Sequence, residues 1–70
     1  IKYKSIIKEG INNILNHLYV CEKHPDDNFE KWRLEKAVYD LYPIVKASMV
    51  NGEISKDKCN EIISFFNNLL

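Results

Sequence analysis

The chain has 70 residues, with ten basic and ten acidic side chains, so it is one small domain without net charge. A nucleic-acid-binding surface normally carries a basic excess, and the charge balance argues against that class of function. No apolar run reaches the ~20 residues that cross a bilayer, so we expect no transmembrane segment.

The small number of cysteines suggests the cellular compartment in which the protein is found. Cys21 and Cys59 are too few for a disulfide scaffold and favour a reducing environment, so we expect a cytoplasmic protein. The chain starts at Ile1 rather than at methionine, and a removed leader is the alternative. Abundant isoleucine, lysine and asparagine indicate an AT-rich genome.

A first amphipathic helix is predicted over about residues 3–23. Apolar residues recur there every three or four positions, which places them on one side of a helix. Pro25 disfavours helical geometry at His24, so the helix should end there. Gly10 flanks the stripe and marks either a close approach of another helix or a neutral surface position. The stripe consists of Tyr3, Ile7, Ile11, Ile14, Leu15, Leu18, Tyr19 and Cys21.

A second helix is predicted over about residues 28–50. Asp27 and Glu30 have the spacing of a capping box at its start. Pro43 lies inside the pattern, where it removes a backbone donor, so the segment is either one kinked helix or two shorter helices. We favour the kink, because the apolar stripe continues across the proline. That stripe consists of Leu34, Val38, Leu41, Val45 and Ser48.

A third helix is predicted over about residues 56–69. Gly52 suits the left-handed stop of the preceding helix, and Ser55 suits the cap of this one. Short connections favour antiparallel neighbours. The sequence therefore predicts one all-α domain over residues 1–70, a small antiparallel bundle of three helices, or of four if the second breaks at Pro43.

Residues with catalytic or ligand-binding chemistry are sparse. His17, Cys21 and His24 share a helix face and are the best zinc candidates, but a fourth ligand is missing and His24 lies where the helix ends. We therefore expect no metal and no cofactor. Lys2, Lys4 and Lys8 do not share one face and are interpreted as a solvated end. No nucleophile, phosphate-loop or metalloprotease motif is present, so we expect no enzyme.

Two aromatic residues of the second helix point away from its core stripe. Trp32 and Tyr39 are one heptad apart and project about 150° from that stripe. Tryptophan and tyrosine are enriched at binding hot spots, so we expect these two, with Lys36 between them, to bind a partner. In the competing interpretation, Trp32 covers the end of the core beside Val20 and Phe29, which we include as candidate binding residues.

The function expected from these features is non-enzymatic protein binding. We expect a small regulator or inhibitor that docks the Trp32 and Tyr39 face on a partner protein or on a second copy of itself. One alternative is a bacteriocin-immunity-like or antitoxin-like protein, which this chain resembles in size and helical architecture. A second alternative is a DNA-binding transcriptional regulator, which a salt-dependent DNA-binding assay would detect.

Overall fold

A computed structural model of the chain describes residues 2–70 and has three α-helices. Helix α1 spans Tyr3–Lys23, α2 spans Asn28–Val50 and α3 spans Lys56–Leu69. No strand occurs in this part of the chain. The predicted all-α bundle is confirmed. Ile1, the unusual first residue, lies outside the described residues.

Helix α2 runs through Pro43 without a break, so residues 2–70 form three helices rather than four. The proline ring lies on the exposed side of the helix. Proline has no N–H to donate to the carbonyl four residues earlier, which belongs to Tyr39. Because Tyr39 is also exposed, this carbonyl lies where water can replace the lost bond, and the helix tolerates the proline.

The first turn ends α1 and caps α2. The carboxylate Oδ1 of Asp27 accepts hydrogen bonds from the backbone N–H groups of Phe29 and Glu30, at 3.0 and 3.2 Å. The second half of the predicted capping box is absent. The Asp27 N–H donates to the His24 carbonyl, 3.0 Å away, and the Glu30 carboxylate instead lies 3.6 Å from Arg33.

The second turn follows the predicted chemistry. Gly52 has a φ of +78°, its N–H donates to Met49, and the Glu53 N–H donates to Ser48. These two bonds form a Schellman motif that satisfies the last carbonyls of α2. The Ser55 hydroxyl then caps α3 by accepting from the Lys58 N–H at 3.0 Å.

The start of α1 is capped by a residue that is distant in sequence. Lys2, the residue before the helix, provides no side-chain hydrogen bond to it. The Glu53 carboxylate accepts instead from the Tyr3 N–H at 2.9 Å and the Lys4 N–H at 3.4 Å. A carboxylate is favourable at this positive end of the helix dipole, so Glu53 attaches the second turn to α1.

Helix α1 approaches α2 closely at Gly10. A Cβ atom added to Gly10 would lie 2.6 and 2.7 Å from the two methyl carbons of Leu41. Leu41 is 4% exposed and belongs to the core, so a shift of its methyl groups would disturb core packing. Gly10 is therefore a close-approach glycine, the first of the two predicted alternatives.

The core draws on all three helices and follows the predicted stripe of α2. The Ser48 hydroxyl is buried in it without a hydrogen-bond partner among the described residues. On α1, by contrast, Leu15 and Tyr19 were predicted to widen the stripe but are 44% and 60% exposed. The buried apolar residues are Ile7, Ile14, Leu34, Val38, Leu41, Val45, Cys59, Ile62 and Phe66.

The length of α3 explains this departure. It has 14 residues, against 21 in α1 and 23 in α2, and is thus about 21 Å long where they reach about 32 and 35 Å. The rings of Phe66 and Tyr42 lie 6.5 Å apart, so α3 ends shortly beyond the middle of α2. We call residues 15–37 the two-helix end, and residues 2–14 and 38–70 the three-helix end. Leu34 is the one buried residue in 15–37.

Candidate functional site

The outer side of α2 carries three exposed aromatic rings. Phe29 is 61% exposed, Trp32 54% and Tyr39 62%. The rings of Phe29 and Trp32 stack on each other, with centroids 5.9 Å apart and an angle of 26° between their planes. None of the three belongs to the core or to the side chains that pack against it. They form a surface of their own.

Helical periodicity explains why these rings share one side. Phe29, Trp32, Lys36 and Tyr39 are separated by three, four and three residues, a spacing that returns to the same side of a helix. The buried stripe of α2 occupies the opposite side. All of these residues are therefore directed away from α1 and α3.

The exposed row continues toward the end of α2. The next positions at the same spacing are Pro43, Lys46 and Val50, and all three are exposed, Val50 at 79%. We define the outer face of α2 as Phe29, Trp32, Lys36, Tyr39, Pro43, Lys46 and Val50. Pro43, Lys46 and Val50 were not among the predicted binding residues; Pro43 was interpreted as a helix breaker and Val50 as a helix end. The signal for these two was their unbroken heptad spacing with Phe29 and Lys36, because positions 29, 36, 43 and 50 follow one another at intervals of seven residues.

The charges of the outer face are largely compensated within the chain. The Lys36 ammonium lies 3.0 Å from the Asp40 carboxylate, one turn along the helix. Arg33 lies 5.7 Å from the Phe29 ring and 3.6 Å from Glu30. Exposed pairs of this kind contribute about 0.2–1 kcal/mol. The contact area of the face is therefore aromatic and aliphatic, with no uncompensated cluster of one charge.

The five predicted binding residues are not all on one surface. Phe29, Trp32, Lys36 and Tyr39 share the outer face, whereas Val20 lies half-buried on α1 and does not pack against the core. A role of these residues in binding stays a prediction. The competing interpretation, in which Trp32 covers the end of the core beside Val20 and Phe29, also stays a prediction; the Trp32 ring stacks on Phe29, and 54% of Trp32 is exposed.

The three zinc candidates do not form a ligand set. Among residues 2–70, no group of three His, Cys, Asp or Glu side chains is arranged to hold a metal ion. Cys21 and Cys59 are both free thiols. The pKa of the Cys21 thiol is raised by desolvation and, to a smaller extent, by the negative charges of Glu30 and Asp27, which outweigh nearby Lys31. A raised pKa makes this thiol a poorer nucleophile and metal ligand at neutral pH.

No helix in residues 2–70 has the length and apolar character needed to cross a membrane. Comparison of the chain with protein-family models, curated proteins and solved structures finds no match.

Proposed function

We propose that this chain is a non-enzymatic protein-interaction module, a small regulator or inhibitor that docks the outer face of α2 on a partner protein. The observation that carries the proposal is the exposure of Phe29, Trp32 and Tyr39 in one continuous row. Isolated exposed apolar residues are normal on soluble proteins, but contiguous patches mark interaction sites. Here the row includes the chain's only tryptophan.

The exposed rings provide the apolar area that an interface hot spot buries. An aromatic side chain buries about 150–250 Å² in a core, and half of that area is still exposed at Trp32 and Tyr39. Covering about 100 Å² per ring at about 25 cal/mol per Å² contributes about 2.5 kcal/mol per ring. This is the magnitude of an interface hot spot.

The local charges favour an apolar complementary surface on the partner. Because Lys36 is paired with Asp40, a carboxylate from a partner would have to displace an existing pair for little gain. Stacking against the rings requires no such displacement. We therefore expect the partner to present an aliphatic or aromatic patch with a polar rim.

The test is retention of a partner by immobilised variants. Trp32→Ala and Tyr39→Ala should lose proteins that the wild-type chain retains from lysate of its source cell, with affinity reduced about 30-fold or more. Tyr19→Ala is the matched control, because Tyr19 is 60% exposed but lies on α1, and it should retain the same proteins.

Sedimentation at several concentrations separates the kinds of partner. Loss of self-association in Trp32→Ala and Tyr39→Ala would identify the partner as a second copy of the chain. If both variants retain every bound protein and the wild-type mass, the outer face of α2 does not bind and the proposal is wrong.

A further inference from the structure

A second surface lies between α1 and α3, away from the outer face of α2. Both helices pack on α2, but no Cα atom of α1 comes within 8 Å of one in α3. Helices that pack directly on each other lie about 8–10 Å apart, axis to axis. The backbones of α1 and α3 do not approach each other in this way, so only side chains reach into the space between the two helices. An open groove of about 590 Å³ follows it.

The groove has an apolar floor and a basic rim. Ile7 and Ile11 of α1 face Ile54 and Ile62 across the floor. Ile7 and Ile62 are already buried, whereas Ile11 and Ile54 are half-exposed. The floor therefore offers additional apolar area to a ligand that covers it.

Lysines stand on both sides of this floor. Lys4 and Lys8 lie on the α1 side and Lys58 on the α3 side. Glu53 is the one acidic residue of the lining, and its carboxylate already accepts the Tyr3 and Lys4 backbone N–H groups. The Lys58 ammonium lies 3.6 Å from Glu61, a pair whose side chains are both more than half exposed. The rim thus has an excess of positive charge although the whole chain has none.

From this charge pattern we propose that the groove binds an amphipathic helix whose apolar stripe is flanked by carboxylates. Such a helix would lie between α1 and α3 as a fourth member of the bundle. Lys4 and Lys8 are one turn apart, about 6 Å along the axis, which matches carboxylates at positions i and i+4 of a partner helix. This proposal is independent of the outer face of α2.

Two synthetic fluorescein-labelled peptides test the proposal by fluorescence polarisation. Both are as long as α3 and share one leucine stripe, flanked by glutamates in the first peptide and by lysines in the second. We expect the glutamate peptide to bind saturably, with a Kd about tenfold lower than that of the lysine peptide, and to weaken as salt is raised. Equal binding of both peptides, or no saturable binding, would overturn the proposal.

Charge reversal locates the binding site. The triple variant Lys4→Glu, Lys8→Glu and Lys58→Glu should bind the glutamate peptide about tenfold more weakly. Lys56→Glu makes the same kind of change on α3 outside the groove and should leave the Kd unchanged. Circular dichroism checks that the variants stay helical. If the triple variant unfolds, Lys8→Glu alone, remote from the Glu53 cap, should still weaken binding about twofold, and an unchanged Kd would contradict the proposal.

Three further results identify other occupants or another site. Sodium oleate binding without peptide binding would assign the groove to a fatty acid. A dimer that Lys8→Glu dissociates would assign it to a second copy of the chain. Loss of peptide binding in Trp32→Ala would place the peptide on the outer face of α2. Each result overturns the groove proposal, and the last leaves the proposed function intact.

Discussion

The two ends of this bundle contain similar apolar residues but use them differently. At the three-helix end, Phe66 and Val45 are fully buried. At the two-helix end, Tyr19, Phe29 and Trp32 are each more than half exposed. The exposure of Tyr19 follows from the shorter length of α3, since two helices alone cannot enclose large side chains between them, whereas Phe29 and Trp32 lie on the outer face of α2, which is directed away from both other helices. The buried core is therefore concentrated at the three-helix end, whereas exposed aromatic surface lies at the two-helix end and continues along the outer face of α2 to Tyr39.

The largest expected difference between the ends concerns two phenylalanines. Phe66→Ala removes a ring that is fully buried, and this should lower the free energy of unfolding by about 3–5 kcal/mol. Phe29→Ala removes a ring that is 61% exposed, and it should change stability by less than about 1 kcal/mol. Urea unfolding of both variants measures the contrast. Equal losses would show that the two-helix end also contributes a core.

A substitution at the close approach of α1 and α2 should cause a smaller loss of stability. Gly10→Ala should destabilise the fold by about 1 kcal/mol, because overpacking against Leu41 costs about 1–3 kcal/mol and exceeds the helix preference of alanine, about 1 kcal/mol. Asn16→Ala, at an exposed position of the same helix, is the control and should be neutral or stabilising. Thermal unfolding that shows Gly10→Ala to be as stable as Asn16→Ala would contradict the close packing.

Removing the cap that Glu53 provides to α1, at the three-helix end, should reduce stability by a similar amount. Glu53→Ala leaves the first N–H groups of α1 without their acceptor and should cost about 1 kcal/mol, as for other capping residues. Glu61→Ala removes an exposed carboxylate that caps no helix, and it should cost less than about 0.5 kcal/mol. Urea midpoints compare the two. Amide hydrogen exchange should also quicken at Tyr3 and Lys4 in Glu53→Ala alone.

The core of the three-helix end also contains a polar group whose removal should raise the stability of the fold. Ser48→Ala deletes a buried hydroxyl without a hydrogen-bond partner and should raise stability by up to about 1 kcal/mol. Ser64→Ala, at an exposed position of α3, should have no such effect. A clear loss of stability in Ser48→Ala, measured by thermal unfolding, would show that the hydroxyl is hydrogen-bonded in solution.

Local signals in the sequence predicted most of this fold. Apolar spacing determined the helices, and Asp27, Gly52 and Ser55 marked their ends, because caps and turns depend on neighbouring residues. The cap that Glu53 provides to α1 links residues 50 positions apart, and no local pattern contains that information. The exposure of Leu15 and Tyr19 was missed for a related reason, since it depends on how far α3 reaches along α1.

The candidate sites were predicted to different extents. Periodicity placed Trp32 and Tyr39 on the outer side of α2, and the same periodicity extends the row to Pro43 and Val50. Val20 was included because it was expected beside Trp32 at the end of the core, and it lies on α1. The lysines of the groove were interpreted as a solvated end, because their partner across the floor, Lys58, is distant in sequence and only the packing of α3 brings it near.

The most direct test of the proposed function asks whether the exposed rings contribute to folding or are available for binding. Urea unfolding of Trp32→Ala and Tyr39→Ala should be measured beside Leu41→Ala, at several protein concentrations. We expect Leu41→Ala to lose about 2–5 kcal/mol and each aromatic variant to lose less than about 1 kcal/mol at concentrations where the chain is monomeric. If both aromatic variants unfold as readily as Leu41→Ala at every concentration, their rings belong to the core and the outer face of α2 is not a docking surface.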